Sequence, residues 1–141
     1  MAETITRIVR VNRIRSPQEA LNATGRNQYV NPDVINAMPK GEGEKTKVVF
    51  FSLGHWVSDE DLEREYEARG LKPVDPYSLA AVNEADPAFA DSHPNSTHWK
   101  DSNGQWCYTV FCHWIAGGRR VNVNRIGVGW RGGWWFGGLR K

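Results

Sequence analysis

The chain is 141 residues long with 40% hydrophobic and 24% charged side chains, which excludes a disordered or fibrous chain and leaves room for one ordinary domain but not two. No apolar run reaches the ~20 residues of a membrane span, and the start, Met1 to Arg7, lacks the apolar stretch of a secretory signal. Cys107 and Cys112 lie too close together for a disulfide scaffold and fit free thiols in a reducing compartment, so the expectation is a single soluble, cytoplasmic domain over residues 1–141 with no membrane partner.

The formal charge of +2 conceals a segregation. Residues 1–40 carry six basic and three acidic side chains, residues 41–101 six and thirteen, and residues 102–141 six and none. Such asymmetry marks either a surface for a polyanion or an acidic middle that faces a basic end within one fold.

From the N-terminus, Thr4 to Ile14 is rich in β-formers, with Ile5, Val9 and Val11 on one parity, and residues 1–15 read as a strand or an arm. Ser16-Pro17-Gln18-Glu19 has the form of a capping box with proline at the first helical position, and Gly25 ends the short helix it opens. Asn31-Pro32-Asp33 starts a second helix, which Pro39 limits to under two turns. Val48 to Leu53 is a continuous apolar run ended by Gly54, read as a strand buried on both faces.

The next helix has the clearest local signals. Ser58 caps it and Asp59, Glu60 and Asp61 fill its first turn, where the helix dipole favours negative charge. Val57 and Leu62 occupy the positions of a hydrophobic staple. Glu60–Arg64 and Glu65–Arg69 are pairs four residues apart, each worth ~0.2–0.5 kcal/mol. Caps and a solvated face explain all these carboxylates without an acid/base role. Asp75-Pro76 opens a further helix to about Asn83, Asp86-Pro87 nucleates a turn around Phe89, and His93 to Ser96 reads as loop.

Asn103-Gly104 and Gly117-Gly118 are hairpin signals, because tight turns need positive φ. They divide Thr97 to Ile126 into a three-stranded meander, continued in twisted or bulged form from Val128 to Leu139, where glycines leave the register open. The expected fold is therefore α+β, with a C-terminal antiparallel β-meander of three or more strands packed against the short mid-chain helices. With two-residue turns, side-chain alternation places Trp99, Trp106, Tyr108, Val110, Cys112, Trp114, Val121 and Val123 on a core face. The wetter face then carries His98, Cys107, Thr109, Phe111, His113, Ile115, Arg120, Asn122, Asn124 and Ile126.

That division argues against a metal or nucleophile site. Cys112 and His113, being adjacent, point to opposite faces, and Cys107 and His113 stand roughly 20 Å apart along one strand, whereas zinc ligands must converge within ~2.0–2.3 Å of the ion. His98 opposite Cys107 or Thr109 is the one plausible cross-strand contact for a thiol–imidazole pair. No phosphate-binding glycine loop occurs, and no cofactor or metal is expected. Six of the seven tryptophans lie from Trp99 onward, beside the six basic groups.

Val49-Phe50-Phe51-Ser52-Leu53, the run Glu65 to Pro76, Asp86-Pro87-Ala88-Phe89-Ala90-Asp91 and the ending Trp134 to Lys141 resemble a group of short, uncharacterised proteins of ultra-small candidate-phylum bacteria. The resemblance covers about residues 15–141, implies no activity and transfers no site residue. From the residues themselves, two readings remain. One is a non-enzymatic interaction domain presenting a polar sheet face and basic C-terminal end to a protein partner. The alternative is a module for single-stranded nucleic acid, in which bases stack on tryptophans and arginines follow the phosphates. Either uses Arg119, Arg120, Arg125, Trp130, Arg131, Trp134, Trp135 and Arg140 as its contact residues.

Overall fold

A computed structural model describes residues 3–125 and 128–141; Ile126 and Gly127, assigned above to the wetter face and the glycine-rich stretch, lie outside the described residues, as do Met1 and Ala2. The local helix signals operate as expected. Strand β1 (Thr4–Arg10) leads to α1 (Pro17–Asn22), where the Ser16 hydroxyl accepts from the Glu19 amide and the Glu19 carboxylate accepts from the Ser16 amide. Strand β2 (Asn27–Val30) precedes α2 (Pro32–Asn36), capped by Asn31. Strand β3 (Lys45–Ser52) is followed by α3 (Asp59–Ala68), capped by Ser58, with Val57 and Leu62 both buried as the staple requires. Gly70 then takes a φ of 68°, the left-handed exit that glycine permits.

Strand β4 (Leu71–Pro73) leads to α4 (Pro76–Ala85), capped by Asp75, and α5 (Phe89–Ser92) follows. The C-terminal strands are β5 (Asn95–Lys100), β6 (Trp106–Trp114), β7 (Gly118–Asn124) and β8 (Trp135–Arg140). The loop expected over His93 to Ser96 is therefore shorter than its composition suggests. Asn95 begins β5 because its buried amide pairs reciprocally with that of Asn83, at 2.8 and 3.1 Å.

All eight strands join one sheet in the order β1-β3-β8-β5-β6-β7-β2, with β4 pairing beside β8. The pairing is largely antiparallel, and β5–β6–β7 is the expected meander. Two pairs are parallel, β5 with β8 and β2 with β7. The chain after β7 does not extend the meander: β8 enters the middle of the sheet between β3 and β5. Its glycines make that insertion feasible. A Cβ on Gly137 would approach Val74 Cγ1 to 2.8 Å and Phe50 Cε1 to 3.1 Å.

The expected division of faces is corrected, and turn length is the reason. Lys100 pairs with Trp106 across the connection Asp101–Gln105, held by the Asp101 carboxylate, which accepts from the amides of Asn103 and Gln105 at 2.9 Å each. Trp114 pairs with Gly118 across three residues. Both registers are shifted by an odd number of residues from those of the two-residue turns, so β6 is inverted relative to both neighbours. One face carries Trp99, Cys107, Thr109, Phe111, Val121 and Val123; the other carries His98, Trp106, Tyr108, Val110, Cys112, Trp114, Arg120 and Asn122. His98 accordingly stands opposite Tyr108, and the suggested contact with Cys107 or Thr109 is not formed.

The mid-chain helices also sit on opposite sides of the sheet. Helix α4, with α1 and α2, covers the first face over a core that includes Leu21, Val34, Phe50, Leu79 and Phe111. Helix α3 covers part of the second, with Leu62 and Tyr66 on Phe51 and Phe136. It stops short of the outer strands β7 and β2, and there the sheet face is open. No described helix is long and apolar enough to cross a membrane.

Candidate functional site

The open part of the second face forms a groove of about 480 Å³. Strands β6 and β7 supply its floor through Tyr108, Val110, Cys112, Arg120 and Asn122. Two segments make the opposite wall: the turn before α3, with Trp56, and the chain between β7 and β8, with Val128, Trp130, Arg131 and Trp134. These segments are joined by a two-way backbone pair, Val57 N–H to the Trp130 carbonyl at 2.9 Å and Trp130 N–H to the Val57 carbonyl at 2.7 Å. Gly129 suits this turn. Its φ is +80°, and a Cβ would fall 2.4 Å from the Trp56 ring.

The groove is aromatic and exposed. Trp56 is 57% accessible, Trp114 56% and Val128 74%. The guanidinium of Arg120 lies 4.5 Å from the ring centres of both Tyr29 and Trp114, and Asn122 Oδ1 accepts from its Nε at 3.2 Å. Trp130 is buried beneath, making edge contacts with Tyr108, Trp134 and Phe136 at 5.6–5.9 Å between centres.

A buried ionic brace holds this wall to α3. Asp59 Oδ1 accepts from the Trp130 indole N–H at 2.9 Å and lies 2.7 Å from His98 Nδ1. The other ring nitrogen of His98 lies 2.8 Å from Glu63 Oε1. Both nitrogens therefore face carboxylates, and the imidazolium, with two N–H donors, satisfies both. Burial alone pushes this imidazole down, but the hydrogen bonds to Asp59 and Glu63 prevail and its pKa is raised above the ordinary value. Trp106 stacks on the ring at 4.2 Å and donates its indole N–H to Glu60. The α3 carboxylates are thus more than caps: Asp59, Glu60 and Glu63 bind the helix to the sheet, and Arg64 pairs with Asp61 rather than Glu60. The Glu65–Arg69 pair forms as expected, at 2.7 Å.

The predicted contact residues are only partly brought together. Arg120, Trp130, Arg131 and Trp134 line the groove, but Trp130 is buried rather than exposed. Trp135 lies on the opposite face, its ring 5.2 Å from that of His93. Arg119 pairs with Asp91 at 2.8 Å, Arg125 with Asp101 at 2.8 Å, and Lys141 with Glu67. Arg140 is exposed at the far end of β8, donating to the Arg69 carbonyl. Half of the basic C-terminal groups thus meet acids of the middle segment, as the intramolecular reading of the charge pattern requires. Trp56 and Trp114, which line the groove, and Tyr29, which stacks on Arg120, are not among the contact residues expected from the sequence. Two even-parity positions on one face, Trp114 on β6 and its diagonal neighbour Arg120 on β7, become the signal once the three-residue turn is known.

The thiols do not converge with an imidazole. Cys107 and Cys112 are free and on opposite faces, and burial raises both pKa values, so neither is an activated thiolate. Among the described residues no group of His, Cys, Asp or Glu side chains has metal-binding geometry. Comparison with family models, curated proteins and solved structures found no match for this chain.

Proposed function

We propose that the chain is a non-enzymatic binding module whose aromatic groove receives a segment of a protein partner. One observation carries the reading: two tryptophans, each more than half exposed, flank a groove that also holds Arg120 and Arg131. Its one carboxylate among the described lining residues, Asp59, is engaged by His98 and Trp130. Trp, Tyr and Arg are the residue types that dominate protein-interface energetics. The wall is braced from behind, so little ordering cost accompanies binding.

Single-stranded nucleic acid is the second reading, favoured by the Tyr29–Arg120–Trp114 stack on an open sheet face. It is weakened by the ion pairs at Arg119, Arg125 and Lys141, which leave few cations for phosphates. Salt dependence separates the two. Contact with Z phosphates lowers log K by about 0.7Z per decade of salt for single strands, whereas an aromatic protein contact is nearly salt-independent. Steep salt-dependent binding of an oligothymidylate probe, lost in Arg120→Ala, would replace the first reading with the second.

A further inference from the structure

Strand β1 ends the sheet opposite the groove, and no described strand pairs with its outer side. The direction of its backbone groups follows from one hydrogen bond. Val11 continues the register in which Arg10 pairs with Lys45, and its N–H donates to the Glu44 carbonyl at 2.8 Å. In an antiparallel ladder, residues alternately direct both N–H and C=O toward the partner strand or both away. Ile5, Arg7 and Val9 therefore bond to β3, while the N–H and C=O groups of Thr4, Thr6, Ile8 and Arg10 point out of the sheet. This edge is seven residues long, contains no proline and keeps an unbroken register, so it lacks several of the devices that usually block further pairing.

The side chains around the edge define what fits. Ile8, 60% accessible, and Arg10 stand opposite Lys47 and Lys45. Arg10 beside Lys45 is a repulsive cross-strand pair. Glu44 lies 3.1 Å from Arg10, but that pair is largely exposed at both ends and contributes little. An open groove of about 1000 Å³ runs between β1 and α4, where Val9, Ala80 and Ala81 lie beside the Arg15–Glu84 ion pair. An incoming strand would direct alternate side chains to these two environments, one cationic and one in which Val9, Ala80 and Ala81 offer apolar contact beside the Arg15–Glu84 pair.

We propose that β1 is a docking edge for an extended acidic segment of a partner protein, alternating carboxylate and apolar side chains, which adds a ninth strand to the sheet. A second copy of this chain is the poorer occupant, because its β1 carries no carboxylate to set against Arg10, Lys45 and Lys47, and full antiparallel overlap would set Arg7 against Arg7. The proposal is independent of the aromatic groove, which lies at the other end of the sheet, so either can fail alone.

The probe is a labelled peptide of about seven alternating valines and glutamates, matched to the length of β1, with a valine–lysine peptide as its counterpart. The glutamate peptide is expected to bind at least ~10-fold more tightly and to protect the amides of Thr6, Ile8 and Arg10 from hydrogen exchange. Ile8→Pro removes an outward N–H at a site where an edge strand tolerates proline, so it should keep the melting temperature within a few degrees and weaken binding at least ~10-fold. If that variant does not fold, amide protection in the unaltered chain decides alone. Unprotected edge amides, equal affinity for both peptides, or a dimer dissociated by Ile8→Pro would each overturn the proposal.

Discussion

Replacing His98 by alanine should remove the brace that ties α3 to the groove wall. The His98 side chain is inaccessible, Asp59 is 6% accessible and Glu63 43%. Breaking a buried ion pair costs ~3–5 kcal/mol. Glu63 can return to water, which places the variant near the lower end, about 3 kcal/mol at pH 6. For a chain of this size that corresponds to about 10 °C in melting temperature. The pH dependence carries a sign. Because the folded pKa of His98 is raised, its contribution is complete below the unfolded value of ~6.5 and is lost as pH rises through the folded value. Within that window the unaltered chain should lose up to ~1.4 kcal/mol per pH unit, since the folded state holds the extra proton. The alanine variant should lack this component. Urea unfolding followed by tryptophan fluorescence from pH 5 to 9 measures both quantities. The same pH slope in the two chains, or a cost below ~1 kcal/mol at pH 6, would refute the brace.

Gly137→Ala should destabilise by about 1–3 kcal/mol through overpacking against Val74 and Phe50, read as a lower urea midpoint with unchanged slope. Asn95→Ala leaves the buried Asn83 amide without its reciprocal partner and should cost about 2 kcal/mol, whereas an effect near zero would mean that water replaces the pair. Trp114→Ala should change stability by under ~1 kcal/mol, because the ring is half exposed; a larger loss in thermal melting would make it a core residue.

Helix starts were legible because capping is local: Ser16, Asn31, Ser58 and Asp75 each act on amides two or three residues ahead. Strand faces were not, because each of the two turns is longer than two residues by an odd number, which inverts β6, and Asp101 sets the first of those turns from outside the Asn103-Gly104 signal. The short strands β2 and β4 have no local signature and exist through their partners, β7 and β8. The site was half visible for the same reasons. Arg120, Arg131 and Trp134 stood out by type, but Trp114 was placed on the wrong face. Asp59 and Glu63 were hidden by their spacing in a helix whose cap already accounted for acidic residues, and only tertiary placement of His98 reveals their second role.

The most direct test of the groove as the contact surface is selection from a random peptide library displayed on phage, run in parallel on the unaltered chain and on Trp56→Ala and Trp114→Ala variants. Peptides that bind the unaltered chain, lose at least ~10-fold affinity for each variant, and change little between low and high salt are the expected result. Peptides that bind all three chains equally would place the contact surface elsewhere.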